Sequence, residues 1–485
     1  MPSNVTRRKA GRVGLRLAAA AVAVSAVSVM VAAPASAATY DVVPIDFAAL
    51  VTPSDAITTK VATILRNTNQ YAVTTWWNTT KNYDAQTGAY LDFGGTGEHQ
   101  IRHPGAQAYG LATALRMGVY SATQTGVSVA NAEAIAVKLI KSLAYRHKVN
   151  TTGGWGDAWQ SAHWAAMAGT AGWIMWDKLS TTDREYVRKM VEYEANRFNT
   201  YQPAYYRRVD GTYVSPGDTK AEEVAWNNTI VALAASMMPN HANKATWMKQ
   251  VVALSYKANS RPSDVGTGAD AWKTLNGFKL GSMTGSNVNQ DGTVVNHDKI
   301  HPDYMESFAI NLSGALTLAM SKQDTPYAMR RAYNNMYDTL VDKNFVAGTM
   351  PYTDPKLTGK TLNAPGGKIY ASSTVTDPND TSDIYYPMGN DWGTGHRMNY
   401  ATMDVFANSF KEDDLASVKA DVWANAHLTK VQKQQERHTD RHTFATTAEF
   451  TYVGAEEWIS HHAAWAYWSR IVTASSLYKI SSATY

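Results

Sequence analysis

Residues 158–198 read AWQSAHWAAMAGTAGWIMWDKLSTTDREYVRKMVEYEANRF, and two kinds of helix stand side by side in them. From Ala158 to Leu179 the chain is apolar on most faces and rich in Ala, Gly and Trp. A helix without a polar face belongs in an interior. The next segment differs. Thr182-Asp183-Arg184-Glu185 is a capping box. Val187, Met190, Val191 and Phe198 then form one apolar stripe among charges, as on an outer helix. An inner helix followed by an outer one is a unit that can repeat.

Working outward, further helical stretches sit near 55–77, 104–120, 128–147, 219–237, 243–259, 303–321, 398–410, 412–425 and 455–478. Asp324-Thr325-Pro326 starts one more, with Thr as cap and Pro in the first turn, running through Met329, Ala332, Tyr333, Met336 and Leu340. About a dozen helices that alternate between buried and amphipathic predict an all-α fold, an (α/α) toroid with inner helices ringed by outer ones. A helical solenoid is the alternative, but no sequence period of 20–50 residues is visible. Residues 260–300 (Gly, Ser, Asn, Asp) and 345–394 (Pro, Gly, Thr, Asp) interrupt the rhythm. Long irregular loops in a compact domain are functional or disordered. Both run into polar-aromatic clusters, which favours function. No linker divides residues 38–485, so one catalytic domain is expected.

Residues 1–37 carry Arg7, Arg8, Lys9, Arg12 and Arg16 and no acid, then an Ala/Val-rich run to about Ala33 and Ala35-Ser36-Ala37. This pattern is that of a cleaved export signal, with Sec and twin-arginine routes both open. The apolar run is too short for a membrane anchor. The chain's formal +4 belongs to this segment, because the rest has 40 basic and 41 acidic residues. A secreted, near-neutral protein is expected, with no nucleic-acid partner, since such binding needs a basic face, and no membrane partner after cleavage. The absence of Cys excludes disulfides, Cys-zinc sites and a thiol nucleophile. Fifteen Trp and 27 Tyr against 10 Phe favour rings with a flat apolar face and a polar edge, which suit sugar binding.

Five clusters hold the chemistry-bearing residues. In Gly153-Gly154-Trp155-Gly156-Asp157-Ala158-Trp159-Gln160-Ser161-Ala162-His163, Trp155, Trp159 and His163 share one face if the segment is helical. They would make a sugar platform or, equally, core. Glu222-Glu223-Val224-Ala225-Trp226-Asn227-Asn228 places acids and amides in an apolar helix, costly to bury unless bonded or functional. Gln290-Asp291-Gly292-Thr293-Val294-Val295-Asn296-His297 has a turn at Asp291-Gly292 and an extended run after it, and His301-Pro302-Asp303-Tyr304 follows. His297 and Tyr304 form a candidate acid/base pair at a loop–helix junction. Tyr385 through Arg397 supplies Tyr386, Trp392, His396 and Arg397 on a loop, and Glu456-Glu457-Trp458 with His461-His462 lines a cavity or closes the ring. No metal is expected. His461 and His462 are adjacent and diverge, and Pro302 and the extended run spoil helical i, i+4 spacing of His297 and His301.

The run Asp291-Gly292-Thr293-Val294-Val295-Asn296-His297, with a Tyr shortly after, resembles the D-G-S-[FY]-[IV]-x-H…Y segment of chondroitin AC and hyaluronate lyases. Single-domain toroid lyases of alginate or glucuronan are similar. The resemblance implies a helical toroid, here without the β-sandwich domains of the larger lyases, and catalytic Asn, His, Tyr and Arg. It assigns Asn227, His297, Tyr304 and Arg397, with Tyr386 and Tyr400 as alternates for the tyrosine. It implies β-elimination at a uronic acid of an acidic polysaccharide, with no cofactor. Asn227, helped by Asn228 or Arg397, would bond the substrate carboxylate. His297 or Tyr304 would take the C5 proton, and Tyr304 would protonate the leaving oxygen. Tyr304 would serve as base if a cation lowered its pKa from about 10. Trp155, Trp159, Trp226 and Trp392 would stack on sugars, with His163, Tyr386, His396 and Glu457 around them. Two other readings stand beside this one. An inverting glycoside hydrolase would use two of Glu223, Asp291 and Glu457, and a non-catalytic glycan-binding protein would need only the Trp surface.

Overall fold

Thirteen α-helices among the described residues form the frame of the structure, a computed structural model that describes residues 41–411 and 420–485. The expected export signal lies outside the described residues. The helices are α1 Ala56–Tyr71, α2 Glu98–Arg116, α3 Ala122–Thr125, α4 Val129–Tyr145, α5 Ser161–Ile174, α6 Thr181–Asn196, α7 Ala221–Met237, α8 Lys244–Ala258, α9 Ser307–Met320, α10 Tyr333–Asp342, α11 Arg397–Phe410, α12 Ala420–Glu436 and α13 Ala455–Ala474. Strands among the described residues are two residues long and pair two by two, so the fold is helix-rich, as the periodicity predicts. No helix among the described residues is long and apolar enough to cross a membrane.

The inner and outer characters read from residues 158–198 hold. Every residue of α5 and of α9 is buried, whereas α6 buries one face, with Val187, Met190 and Val191 beside the paired Glu194, and leaves its other charges partly or wholly exposed. The fully buried type packs on itself in chain order: α2 on α5, α5 on α7, α7 on α9, α9 on α11 and α13, α11 on α13, and α13 on α2. The amphipathic helices lie against them, α4 and α6 on α5, α8 on α7, α12 on α11 and α1 on α13. Small residues permit close approach. A Cβ on Gly169 would meet Val191 Cγ2 at 2.6 Å and Leu233 Cδ2 at 2.9 Å, which joins α5 to α6 and α7.

Several boundaries move for physical reasons. Helix α5 starts only at Ser161, so Trp155, Trp159 and His163 do not share a helical face. The cap of α6 is Ser180, whose hydroxyl accepts from Asp183 N at 3.1 Å, one turn-step before the capping box read at Thr182. Thr325-Pro326 leads into a 3₁₀ turn, Tyr327–Met329, and not directly into an α-helix. It pairs with Ile480–Ser481, and α10 begins at Tyr333. Pro104 is internal to α2 rather than its start, and the turn before it, Glu98–His103, is helical and largely buried. In the 412–425 prediction, residues 412–419 lie outside the described residues, and the helix runs on to Glu436.

Candidate active site

A cavity of about 450 Å³ opens where six helices begin. Its lining includes Glu98 and Arg102 of α2, Trp159 and Gln160 just before α5, Glu222, Glu223 and Trp226 of α7, Asp303, Tyr304 and Glu306 of the short 3₁₀ helix before α9, His396 and Asn399 at the start of α11, and Trp458 of α13. Each of these helices therefore turns its N-terminal end to the cavity. Such ends carry about half a positive charge and unpaired N–H groups, which accounts for the acids gathered there.

The hairpin Val295–Asn296/Lys299–Ile300 delivers His297. Its two-residue loop is His297-Asp298, with φ of 51° and 57°. A two-residue hairpin turn of this hand needs positive φ at both positions and is ordinarily Asn-Gly. His and Asp there hold strain of the kind concentrated at functional sites, about 1–3 kcal/mol per residue. The tip is held down by Asp298 N, which donates to Gly217 O at 3.0 Å. Asp391 accepts from His297 Nδ1 and from His301 Nε2, each at 3.0 Å. A carboxylate only accepts, so the proton of His297 sits on Nδ1, and its Nε2 accepts from the Tyr304 hydroxyl at 3.1 Å. Trp392 stacks over the His297 ring at 5.6 Å. Asp391 is held well below the usual carboxylate range, chiefly by its hydrogen bond from His301. Burial, then the nearby Glu222, pushes the Tyr304 phenol far up. The shift runs opposite to the expected cation-lowered Tyr304: burial and Glu222 favour the protonated phenol.

Opposite this relay lies Arg102. It is buried, donates to Gln160 Oε1 at 2.8 Å and pairs with Glu98 at 2.9 Å. Its guanidinium lies 4.6 Å from the Tyr452 ring centre and 5.0 Å from that of Trp458, and its Nε has no partner. Beside it, Glu222 is pushed well above the ordinary carboxylate pKa by burial and then by Glu306, which favours its protonated form. Glu306 itself is gripped by His462 and by Asn399 Nδ2 at 2.8 Å.

The structure brings Trp159, Trp226, His297, Tyr304, Trp392 and His396 to the cavity, and Glu223 with them. His396 is a wall: its Nε2 donates to Trp392 O at 2.9 Å, and its ring stacks on Phe450. Other assigned residues do not arrive. Asn227 is not part of the lining; it is buried, and its Oδ1 has no hydrogen-bond partner. Asn228 Nδ2 donates to Ser255 Oγ at 2.9 Å and Asn311 Oδ1 at 3.0 Å, which ties α7 to α8 and α9. Arg397 is wholly buried in a two-pronged pair with Asp383 at 2.6 and 2.7 Å, and its Nη1 donates to the Tyr386 hydroxyl at 3.3 Å, which keeps both behind the wall. Tyr400 donates to Asp303 at 2.6 Å. Trp155 is core, its indole donating to Leu143 O at 2.9 Å. His163 lies buried beneath Trp226, stacked at 5.5 Å. Glu457 accepts the Trp76 indole at 2.7 Å. Asp291 accepts from Tyr352 at 2.6 Å and pairs with Lys343 at 2.9 Å, so the Asp-Gly of the lyase-like run builds a turn.

The reading missed Arg102, Glu222, His301, Asp391, Tyr452 and Trp458 as site residues. An arginine two residues before Pro104, ahead of the small-residue run from Gly105, was the available signal for Arg102. The hairpin also joins His297 and His301 by a route other than helix spacing, and with Asp391 they make a three-donor group within 4.8 Å. Its imidazole and carboxylate donors are of the kind zinc takes. As arranged, both imidazole N–H groups point at the carboxylate, and Lys299 Nζ lies 3.4 Å from it.

No family model matches this chain, and no curated protein matches it.

Proposed function

We propose that this protein is a polysaccharide lyase that cleaves a uronic-acid-containing chain by β-elimination, in an (α/α) toroid whose inner ring is α2, α5, α7, α9, α11 and α13. The observation that carries the reading is the Asp391–His297–Tyr304 relay, which presents His297 and Tyr304 to an aromatic-lined cavity. Its support for the toroid is the contact order of the buried helices. Residues 1–37 would direct export.

The roles assigned to Asn227 and Arg397 pass to Glu222 and Arg102. The uronate carboxylate lies between the protonated Glu222 and the free Nε of Arg102. Sharing a proton and a cation with it stabilises the enolate-like charge that develops when C5 loses its proton. As the glycosidic oxygen takes over the Tyr304 hydroxyl, His297 Nε2 is freed to accept the C5 proton. The C5 electron pair forms the C4–C5 double bond, the C4–O bond breaks, and Tyr304 protonates the departing oxygen. The proton on His297 then restores Tyr304. Each acid–base step of this kind contributes about 10²–10⁴-fold.

A protonated Glu222 beside Glu223 also fits an inverting hydrolase, which needs one acid and one carboxylate. One incubation separates the two. Uronate polymers are followed for ultraviolet absorbance of unsaturated ends and for new reducing ends. Elimination gives both; reducing ends without absorbance would overturn the lyase reading.

A further inference from the structure

We infer that the polymer this cavity accepts carries its carboxylates far apart: one uronate flanked by neutral sugars, not a run of consecutive uronates. The inference rests on the lyase reading for what happens to that uronate, but its grounds are the charges of the lining. Six acids line the cavity: Glu98, Asp218, Glu222, Glu223, Asp303 and Glu306. Among the described lining residues the Lys and Arg side chains are Arg102 and Lys220, and both are already engaged. Arg102 pairs with Glu98 at 2.9 Å, and Lys220 with Asp218 at 2.7 Å and Glu223 at 3.8 Å.

The positive helix ends shift the balance little, because they act only within the first turn, and in α2 and α7 those turns already carry Glu98, Glu222 and Glu223. A first carboxylate meets receivers, namely the unpartnered Arg102 Nε, buried with its side chain, and the protonated Glu222. A second carboxylate on an adjoining sugar meets none. The other cation of the described lining, Lys220, is already shared by Asp218 and Glu223. Flat rings fill the remaining contact area, with Trp159 exposed and Trp392 over His297. Such rings hold the apolar faces of neutral sugars without asking for charge. This is selection by repulsion as much as by attraction.

The test uses the full-length mature protein and two polymers of matched length, a homopolyuronate and a heteropolymer with one glucuronate among neutral sugars. KM is read from ultraviolet absorbance and Kd from calorimetry, at low and high ionic strength. The heteropolymer should bind about tenfold or more tightly. The homopolyuronate's Kd should fall as salt rises, because screening weakens repulsion. The double variant Asp218→Asn/Glu223→Gln should narrow the gap between polymers to within about threefold. Equal or tighter homopolyuronate binding, or a homopolyuronate Kd that rises with salt, would overturn the inference. Absence of absorbance with both polymers would count against elimination alone, since calorimetry still decides the charge spacing.

Discussion

His297 is the residue on which the most depends, and its backbone is as informative as its ring. A histidine at φ 51° beside an aspartate at φ 57° is an unfavourable choice for a hairpin loop where Asn-Gly would relax the chain. The choice sets the imidazole between Asp391 and Tyr304. Asp391 fixes which nitrogen is free, so Asp391→Asn should lower kcat by about 10²-fold or more with little change in KM, as tautomer control requires. A kcat within twofold of wild type would remove Asp391 from the relay. Glu222 gives a sharper choice. As a neutral donor to the substrate carboxylate it is mimicked by glutamine, so Glu222→Gln should keep elimination within about tenfold. A general acid of a hydrolase has no such substitute, and loss of about 10³-fold or more would favour hydrolysis. At this scale the pair His297 and Tyr304 was legible, because an unusual polar residue beside a turn signal needs only local chain to be noticed. Arg102 was hidden, because its function comes from rings contributed by Tyr452 and Trp458, about 350 residues away in the chain.

Elements explain where the acids go. The first turn of α13 holds Glu456, buried, its Oε1 accepting from Thr443 N and Thr443 Oγ1, each at 2.6 Å. Burial pushes its pKa up to about 7 from an ordinary 4.5. The folded value lies above the unfolded one. Its contribution to stability is therefore fully present below about pH 4.5 and is lost as pH rises through about 7. Glu456→Gln should flatten the fall in Tm across that window relative to wild type, by thermal melts at several pH values. A parallel fall in both proteins would show that another group sets the slope. Helix starts were the least legible feature, and for one reason. Pro104 reads locally as a first-turn residue, yet the turn before it is stabilised by Gly97 O accepting from Ile101 N at 3.2 Å and by burial among neighbours.

On the scale of the whole molecule, the loop 345–394 and the helices α11 and α12 are joined by Arg397, Asp383 and Lys430, all buried. This is the work of the arginine that resemblance made catalytic. Removing Arg397 leaves Asp383 with Lys430 as its cation, so the cost lies toward the lower part of the roughly 3–5 kcal/mol typical of a broken buried pair. Arg397→Ala should therefore lose stability on that scale in urea titrations, while kcat of the folded fraction stays within a fewfold of wild type. A selective loss of kcat with unchanged stability would return Arg397 to the site. By itself the sequence determined the helix-rich class, the alternation of buried and amphipathic helices and the presence of a His–Tyr pair near a turn, since periodicity, composition and local spacing are properties of contiguous chain. Tertiary structure alone decided which polar residues reach the cavity. Neighbours such as Trp226 and Asn227 differ by one helical step, yet the first lines the cavity and the second does not, and only the packing of α7 against its neighbouring helices determines which direction is the cleft.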